Sequence, residues 1–378
     1  MPDLLLYGDT EHSATLRHEL PIVVGDAFLL AEVGGQTFIL TNSLERERME
    51  AARPDAQLID FTDVGFHDLL RGGQSRHQIL IEMASRAVAR IGVRAAIVDP
   101  EFPVAVADRL RADGVVLTPD HDAVTARRRV KSPAELAGIR RAQRAADAGM
   151  AAAAAMLRDA VPEGDTLVRG GAPLTAEDVR AALREACAAH GAPAPPDVVV
   201  ASVWQGFGHN PGSGPLPASL PIQIDLWPRD EASGCWADMT RTFVVGEVTA
   251  PVRAQEALVA RVFADVRAAV RPGITGRELH AMACDAFEAA GHRTQRTGPG
   301  DDPAEGFQFS LGHGVGLEVH EGPGLGQLGR EPLIAGDVIA IEPGLWERAI
   351  GGVRYEDLLL VTDDGCEVLT DYPYDLKP

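Results

Sequence analysis

Apolar and polar positions divide the chain into a mixed first stretch and a longer second one in which the same order of patterns recurs. Near the start, Phe28-Leu-Leu-Ala-Glu-Val33 and Thr37-Phe-Ile-Leu40 flank Gly34-Gly35, which predicts two strands joined by a tight hairpin turn. Residues 78–91 have helical spacing, and Ala95-Ala-Ile-Val98 is a short apolar run of the kind a buried strand shows. Ser132-Pro133-Ala134-Glu135 then opens a long helix. Serine suits the N-cap, proline the first helical position, and glutamate can reach back to the cap amide. The Ala-rich stretch beyond it predicts helix to about Arg158. A second helix begins at Thr175-Ala-Glu-Asp178 and stops before Gly191. Strand patterns follow at Val198–Val203, Pro221–Trp227 and Asp238–Val245. Next come a helix over 251–270, another capped by Thr275 and ending at Gly291, and strands at Val338–Ile341, Val353–Asp357 and Leu358–Val361. Helix, helix, strands, twice over, predicts two similar halves around a shared cleft. The expected fold class is α/β (α+β), with one domain over residues 1–126 and a second over 127–378.

Composition changes this picture only by exclusion. The 378 residues exceed one ordinary domain. At 46% hydrophobic and 24% charged, the chain has the profile of a globular protein, not a disordered one. Its net charge of −20 would repel a phosphate backbone, so nucleic acid is not an expected partner. No apolar run is long enough to suggest a membrane span, and Met1-Pro2-Asp3 opens no secretory signal, so no membrane association and a cytoplasmic location are expected. The four cysteines form no CxxC pair, which suits a reduced compartment and argues against a thiolate zinc site. In the first stretch, His12, His18, His67, His77 and His121 have no acids at ligand-like spacing, so that domain is read as structural.

Candidate chemistry lies in the second stretch. Asp225 ends the run Pro221-Ile-Gln-Ile-Asp225, and Asp238 opens Asp238-Met-Thr-Arg-Thr-Phe243. Strand alternation puts Asp225 on a face with Gln223, and Asp238 with Thr240 and Thr242. The turn-rich segment Pro228–Gly234 between them predicts a hairpin that brings the two carboxylates together. Such a pair in a core is costly unless it shares a proton or holds a cation. Three further candidates follow: His313 in the glycine-rich loop Gly312-His-Gly-Val-Gly316, Glu342 in Ile341-Glu-Pro-Gly344, and Glu356 in Val353-Arg-Tyr-Glu-Asp357. Two aspartates, two glutamates and one imidazole could hold two divalent ions if carboxylates bridge them, and the ligand set favours Mn²⁺, Co²⁺ or Zn²⁺.

The order of these motifs resembles the pita-bread metallopeptidases, the family of methionine aminopeptidase, aminopeptidase P and prolidase. The resemblance covers about residues 126–378, and the Lys131-Ser-Pro-Ala-Glu135 entry is similar too. The first stretch resembles the smaller N-terminal domain of the creatinase/prolidase type. The resemblance implies that Asp225, Asp238, His313, Glu342 and Glu356 ligate two divalent cations, with Mn²⁺ the first candidate. It implies that His209, in Gly208-His-Asn-Pro-Gly, and His320, in Glu318-Val-His-Glu-Gly-Pro323, bind substrate and steady the reacting carbonyl. Glu342 would also carry a proton. Arg354 would either fix the Glu356 carboxylate or meet a substrate carboxylate. Asp225 and Asp238 are thirteen residues apart, two more than is usual in the family. An even insertion in the turn keeps both side chains on their face.

The activity implied is hydrolysis of an Xaa-Pro bond by a hydroxide bridging the two cations. The compact first domain favours a dipeptidase (prolidase) acting on a proline-containing peptide. The alternatives are an Xaa-Pro aminopeptidase working on longer peptides and, in a different class, a non-catalytic pita-bread module that binds peptides. A creatinase-like, metal-free hydrolase is disfavoured because that branch lacks the full ligand set. A homodimer is also implied.

Overall fold

In a computed structural model, which describes residues 2–202, 205 and 208–378, the chain divides into two compact units, Met1–Arg128 and Arg129–Pro378. The first is built on β1 (Leu4–Gly8), β2 (Phe28–Val33), β3 (Gln36–Thr41), β4 (Gln57–Asp60), β5 (Ala95–Val98) and β6 (Val116–Pro119), in the sheet order β4-β3-β2-β1-β5-β6. The predicted hairpin is β2–β3, and Gly34 and Gly35 turn it with φ of 58° and 81°, which side chains with a Cβ rarely adopt. Alternation did not reveal β1, because both of its faces are buried. Leu5 packs with Leu29 and with Met83 and Val88 of the helix Arg76–Ile91, while Leu4 and Leu6 pack with Leu16 and Leu20.

The second unit opens on the helix Pro133–Arg158. Ser132 accepts from the Glu135 N–H at 3.2 Å, and the Glu135 carboxylate accepts from the Ser132 N–H at 2.8 Å. Thr175 and Thr275 cap the helices Ala176–Ala189 and Gly276–Ala289 by the same reciprocal device. Between the first two helices a small unpredicted sheet forms from β7 (Val161–Glu163), β8 (Thr166–Arg169) and β9 (Ala172–Pro173). An antiparallel sheet of β10 (Val199–Ser202), β11 (Ile222–Leu226) and β12 (Met239–Phe243) follows; Val203, expected to extend its first strand, lies outside the described residues. The helices Ala250–Ala269 and Gly276–Ala289 lead into the second half. There β13 (Gly312–Gly314), β14 (Glu321–Leu325), β15 (Val338–Ile341), β18 (Asp357–Val361) and β19 (Cys366–Val368) pair in the order β14-β13-β15-β18-β19. A separate ribbon joins β16 (Gly344–Glu347) to β17 (Gly351–Arg354).

Two expectations need correction. The Gly-His313-Gly segment, read as a glycine-rich loop, is the strand β13. A Cβ at Gly312 would run into the Ala340 carbonyl and one at Gly314 into that of Gly322, so glycine is what lets β13 sit this close to its neighbours. The run Val353–Asp357 is not one strand. β17 ends at Arg354, β18 begins at Asp357, and between them the Glu356 N–H donates to the Thr240 carbonyl at 3.1 Å.

Arg241 fastens this break in the chain to β12. Its side chain is fully buried. It donates to the carbonyls of Thr240, Glu356, Tyr372 and Pro373 and forms an ion pair with Asp357 at 2.9 Å. Truncating it leaves a buried carboxylate without its cation. Arg241→Leu should therefore lower unfolding stability by ~3–5 kcal/mol in urea titration. Arg241→Leu combined with Asp357→Asn should recover part of that loss; a double variant as unstable as the sum of both singles would contradict the assignment.

Candidate metal centre

The register of β11 and β12 places Asp225 directly opposite Thr240, and Gln223 opposite Thr242. Asp238 immediately precedes β12 and lies two residues from Thr240, so Asp225, Thr240 and Asp238 share one face. The longer turn between the aspartates is absorbed without a register slip. Asp230 accepts from the Ser233 N–H and hydroxyl, and Arg141 of the helix Pro133–Arg158 grips it at 2.9 and 2.8 Å.

The other half of the unit supplies the remaining groups. His313, on β13, stands opposite Ala340 of β15; Glu342 follows β15; Glu356 lies in the break between β17 and β18. His313 Nε2 is 3.7 Å from Asp238 Oδ2, 3.8 Å from Glu342 Oε1 and 4.0 Å from Glu356 Oε1. These separations are too long for hydrogen bonds but suit atoms arranged around a common centre. Three overlapping sets each offer ligand atoms within 4.8 Å of one another: Asp225, Asp238 and Glu356; His313, Glu342 and Glu356; and Asp238, His313 and His320. Asp238, His313 and Glu356 each belong to two of these sets. All five sequence-predicted ligands are thus brought together.

Arg354 is 8% exposed and turned toward these carboxylates. Its guanidinium pairs with Asp225 and reaches Glu342 Oε2 at 3.1 Å. Its Nε and Nη2 also donate to the Thr240 hydroxyl, at 3.1 and 2.8 Å. That hydroxyl in turn donates to Glu356 Oε2 at 2.7 Å. Arg354 therefore meets Asp225 and Glu342, and it reaches Glu356 only through Thr240. Face parity had singled out Thr240 and Thr242 alike, but Thr242 bonds the Arg354 backbone, at 3.1 Å to both its N–H and its carbonyl. Parity gives the face of a side chain but not its partners.

The electrostatics of this pocket are unbalanced. Burial, reinforced by Glu356 and Asp225, pushes the Asp238 carboxyl well above the usual range. Burial and Glu342 do the same to Glu356. Glu342 is pushed up to about 7, chiefly by burial. His313 is pushed down to about 3 by burial and the adjacent His320, so its imidazole is neutral and free to ligate. Burial alone would lower Arg354, but Asp225 and Glu342 outweigh it and keep the guanidinium charged. Asp238 Oδ1 is buried without a hydrogen-bond partner. An orphaned acceptor among mutually repelling carboxylates, with one neutral imidazole, is a donor set that fits divalent metal.

His320 and His209 lie at the exposed edge. The His320 ring is 4.2 Å from that of His313 and perpendicular to it, and 6.4 Å from that of His209.

Residues 137–363 match metallopeptidase family M24. The chain belongs to that family. The chain is similar to the Xaa-Pro dipeptidase of Pyrococcus horikoshii, 41% identical over 137 residues, and to that of Pyrococcus furiosus, 37% identical over 134 residues. Each alignment covers 35% of this chain and 35% of the relative, so the chain spans about a third of the length of the curated relatives it matches. Solved structures align over much more of the chain. An Xaa-Pro dipeptidase from Bacillus anthracis superposes with a TM-score of 0.79 at 21% identity, covering 99% of this chain and 94% of that one. The dipeptidase PepE from Mycobacterium ulcerans gives 0.76 at 25% identity, covering 100% and 92%. The expected mixed α/β architecture, a pita-bread unit preceded by a smaller N-terminal one, is shown by these likenesses. Among the described residues no helix is long and apolar enough to cross a membrane.

Without metal, the raised carboxyls give stability a distinctive pH dependence. Folded Asp238, Glu342 and Glu356 keep protons that the unfolded chain has released. Their contribution is fully present below the unfolded value, 4.5 for glutamate, and is lost as pH rises through about 7 for Glu342. Chelated protein should therefore lose on the order of 3 kcal/mol of stability between pH 5 and pH 8. Added Mn²⁺ should restore more at pH 8 than at pH 5. A flat profile in denaturant titrations would contradict the charge assignment.

Proposed function

We propose that the protein hydrolyses Xaa-Pro peptide bonds as a dipeptidase, with two divalent cations, Mn²⁺ foremost, held by Asp225, Asp238, His313, Glu342 and Glu356. The observation that carries this reading is the convergence of those five side chains, with Asp238, His313 and Glu356 each common to two ligand sets. Membership in a metallopeptidase family supports hydrolysis, and the Xaa-Pro dipeptidases among the relatives support the substrate. With every ligand type in place, a non-catalytic binding module is disfavoured.

When bound, the cations supply a water that is deprotonated near neutral pH and positioned for attack. The chain's own groups do the rest. Glu342, whose carboxylate lies among these ligands and beside Arg354, accepts a proton and returns it to the leaving nitrogen. Such a return matters for proline, whose amide nitrogen carries no hydrogen and must gain one to depart as an amine. Arg354 holds Asp225 and Glu342 in place and offsets part of their charge, while Thr240 orients Glu356. His320, at the exposed edge, donates to the oxyanion that develops on the scissile carbonyl. His209 positions the substrate beside it. The four cysteines are free and three are buried, which suits the reduced cytoplasm in which we place the enzyme. The family resemblance supports a homodimer.

The reading is tested on Ala-Pro. Hydrolysis should vanish on chelation and return with Mn²⁺, and full activity in the chelated protein would sink the proposal. Glu342→Gln should keep the fold and lower kcat at least ~100-fold. A variant turning over at the parental rate would remove Glu342 from proton transfer. Faster cleavage of Ala-Pro-Ala than of Ala-Pro would assign the protein to the aminopeptidases instead.

A further inference from the structure

The turn that carries His320 is anchored from an unexpected place. Lys131 is one of two lysines in a chain that otherwise uses arginine, and it lies just before the Ser132 helix cap. Its ammonium pairs with the carboxylate of Glu321, the residue directly after His320, and both side chains are only 3% exposed. Removing two charges from water is costly, and such a pair contributes little net stability compared with an apolar one. What it does supply is a fixed point between segments 190 residues apart.

The turn closes around that point. The other Glu321 oxygen accepts from the Glu318 N–H at 3.3 Å, and the Gly316 N–H donates to the Glu318 carbonyl at 3.0 Å. Trp236 holds the opposite side, its backbone N–H donating to the Gly316 carbonyl at 2.8 Å and its indole to that of Leu317 at 3.2 Å. Gly316 lies flat on the ion pair, where a Cβ would strike both the Glu321 carboxylate and the Lys131 ammonium. His320 itself is exposed, and its ring makes no hydrogen bond among the described residues. Its place against the edge of His313 is therefore set by the backbone of this turn, and the turn's anchor next to it is Glu321.

We propose that Lys131 is a positioning residue, holding Glu321 so that the turn presents the His320 imidazole beside His313. The inference rests on the peptidase reading for the part His320 plays in turnover. The oxyanion contact exists only in the transition state, so losing it lowers kcat and leaves KM nearly unchanged.

The test is a mutant cycle on Ala-Pro with the Mn²⁺-loaded full chain. Lys131→Met should lower kcat by about 10–100-fold, with KM within about threefold of the parent and metal content unchanged. Lys131→Met added to His320→Ala should be no slower than His320→Ala alone, because no imidazole remains to be placed. Lys131→Met with Glu321→Gln removes both charges of the pair together, so it guards against simple misfolding and should show the same kcat deficit. Multiplicative losses in the His320→Ala background, or parental kcat in the neutralised pair, would overturn the proposal. A parent that does not cleave Ala-Pro would instead count against the peptidase reading alone. The ring-to-ring NOE between His313 and His320 in metal-free, ¹³C-histidine-labelled protein then decides. It should be present in the parent and lost in Lys131→Met, and an unchanged NOE would overturn the inference.

Discussion

Four carboxylates, those of Asp225, Asp238, Glu342 and Glu356, share one buried space with a single guanidinium, that of Arg354. They cannot all be ionised there on the strength of one positive charge. Either protons are retained well above the usual carboxylate range, or further cations enter. The unpartnered Asp238 Oδ1 and the neutral imidazole of His313 make the second outcome chemically natural. The rest of the unit can be understood as what is needed to hold that repelling set in place.

Three devices do so. Strand pairing fixes the aspartates, since Asp225 and Asp238 share a face through the β11–β12 register and the longer turn between them is pinned by Arg141 on Asp230. A buried cation fixes the break before β18, where Arg241 gathers Thr240, Glu356, Asp357 and the C-terminal carbonyls. A hydroxyl fixes the charge pairing, since Thr240 gives its proton to Glu356 and receives two from Arg354. Each device joins segments more than one hundred residues apart or crosses from one strand to the next. That explains why the site depends on the folded unit and not on any local motif.

Much of this was legible in the sequence because it obeys local rules. Helix starts at Ser132, Thr175 and Thr275 follow from capping chemistry, and the faces of Asp225 and Asp238 follow from alternation through an even insertion. What escaped was set by long-range contact. Leu4, Leu5 and Leu6 show no alternation because β1 is buried on both sides. Gly312-His-Gly314 looked like a loop because glycine has low strand propensity, yet the crowding of Ala340 and Gly322 demands it. The separate fates of Thr240 and Thr242, equal by parity, are decided by Arg354 and Glu356, which come from the far end of the chain.

The function of the site depends on whether those side chains hold a pair of cations. Anomalous diffraction from crystals grown with Mn²⁺ tests this most directly. The expected result is two adjacent peaks enclosed by Asp225, Asp238, His313, Glu342 and Glu356. A map with no peak among these residues, or with metal bound only elsewhere on the chain, would contradict it.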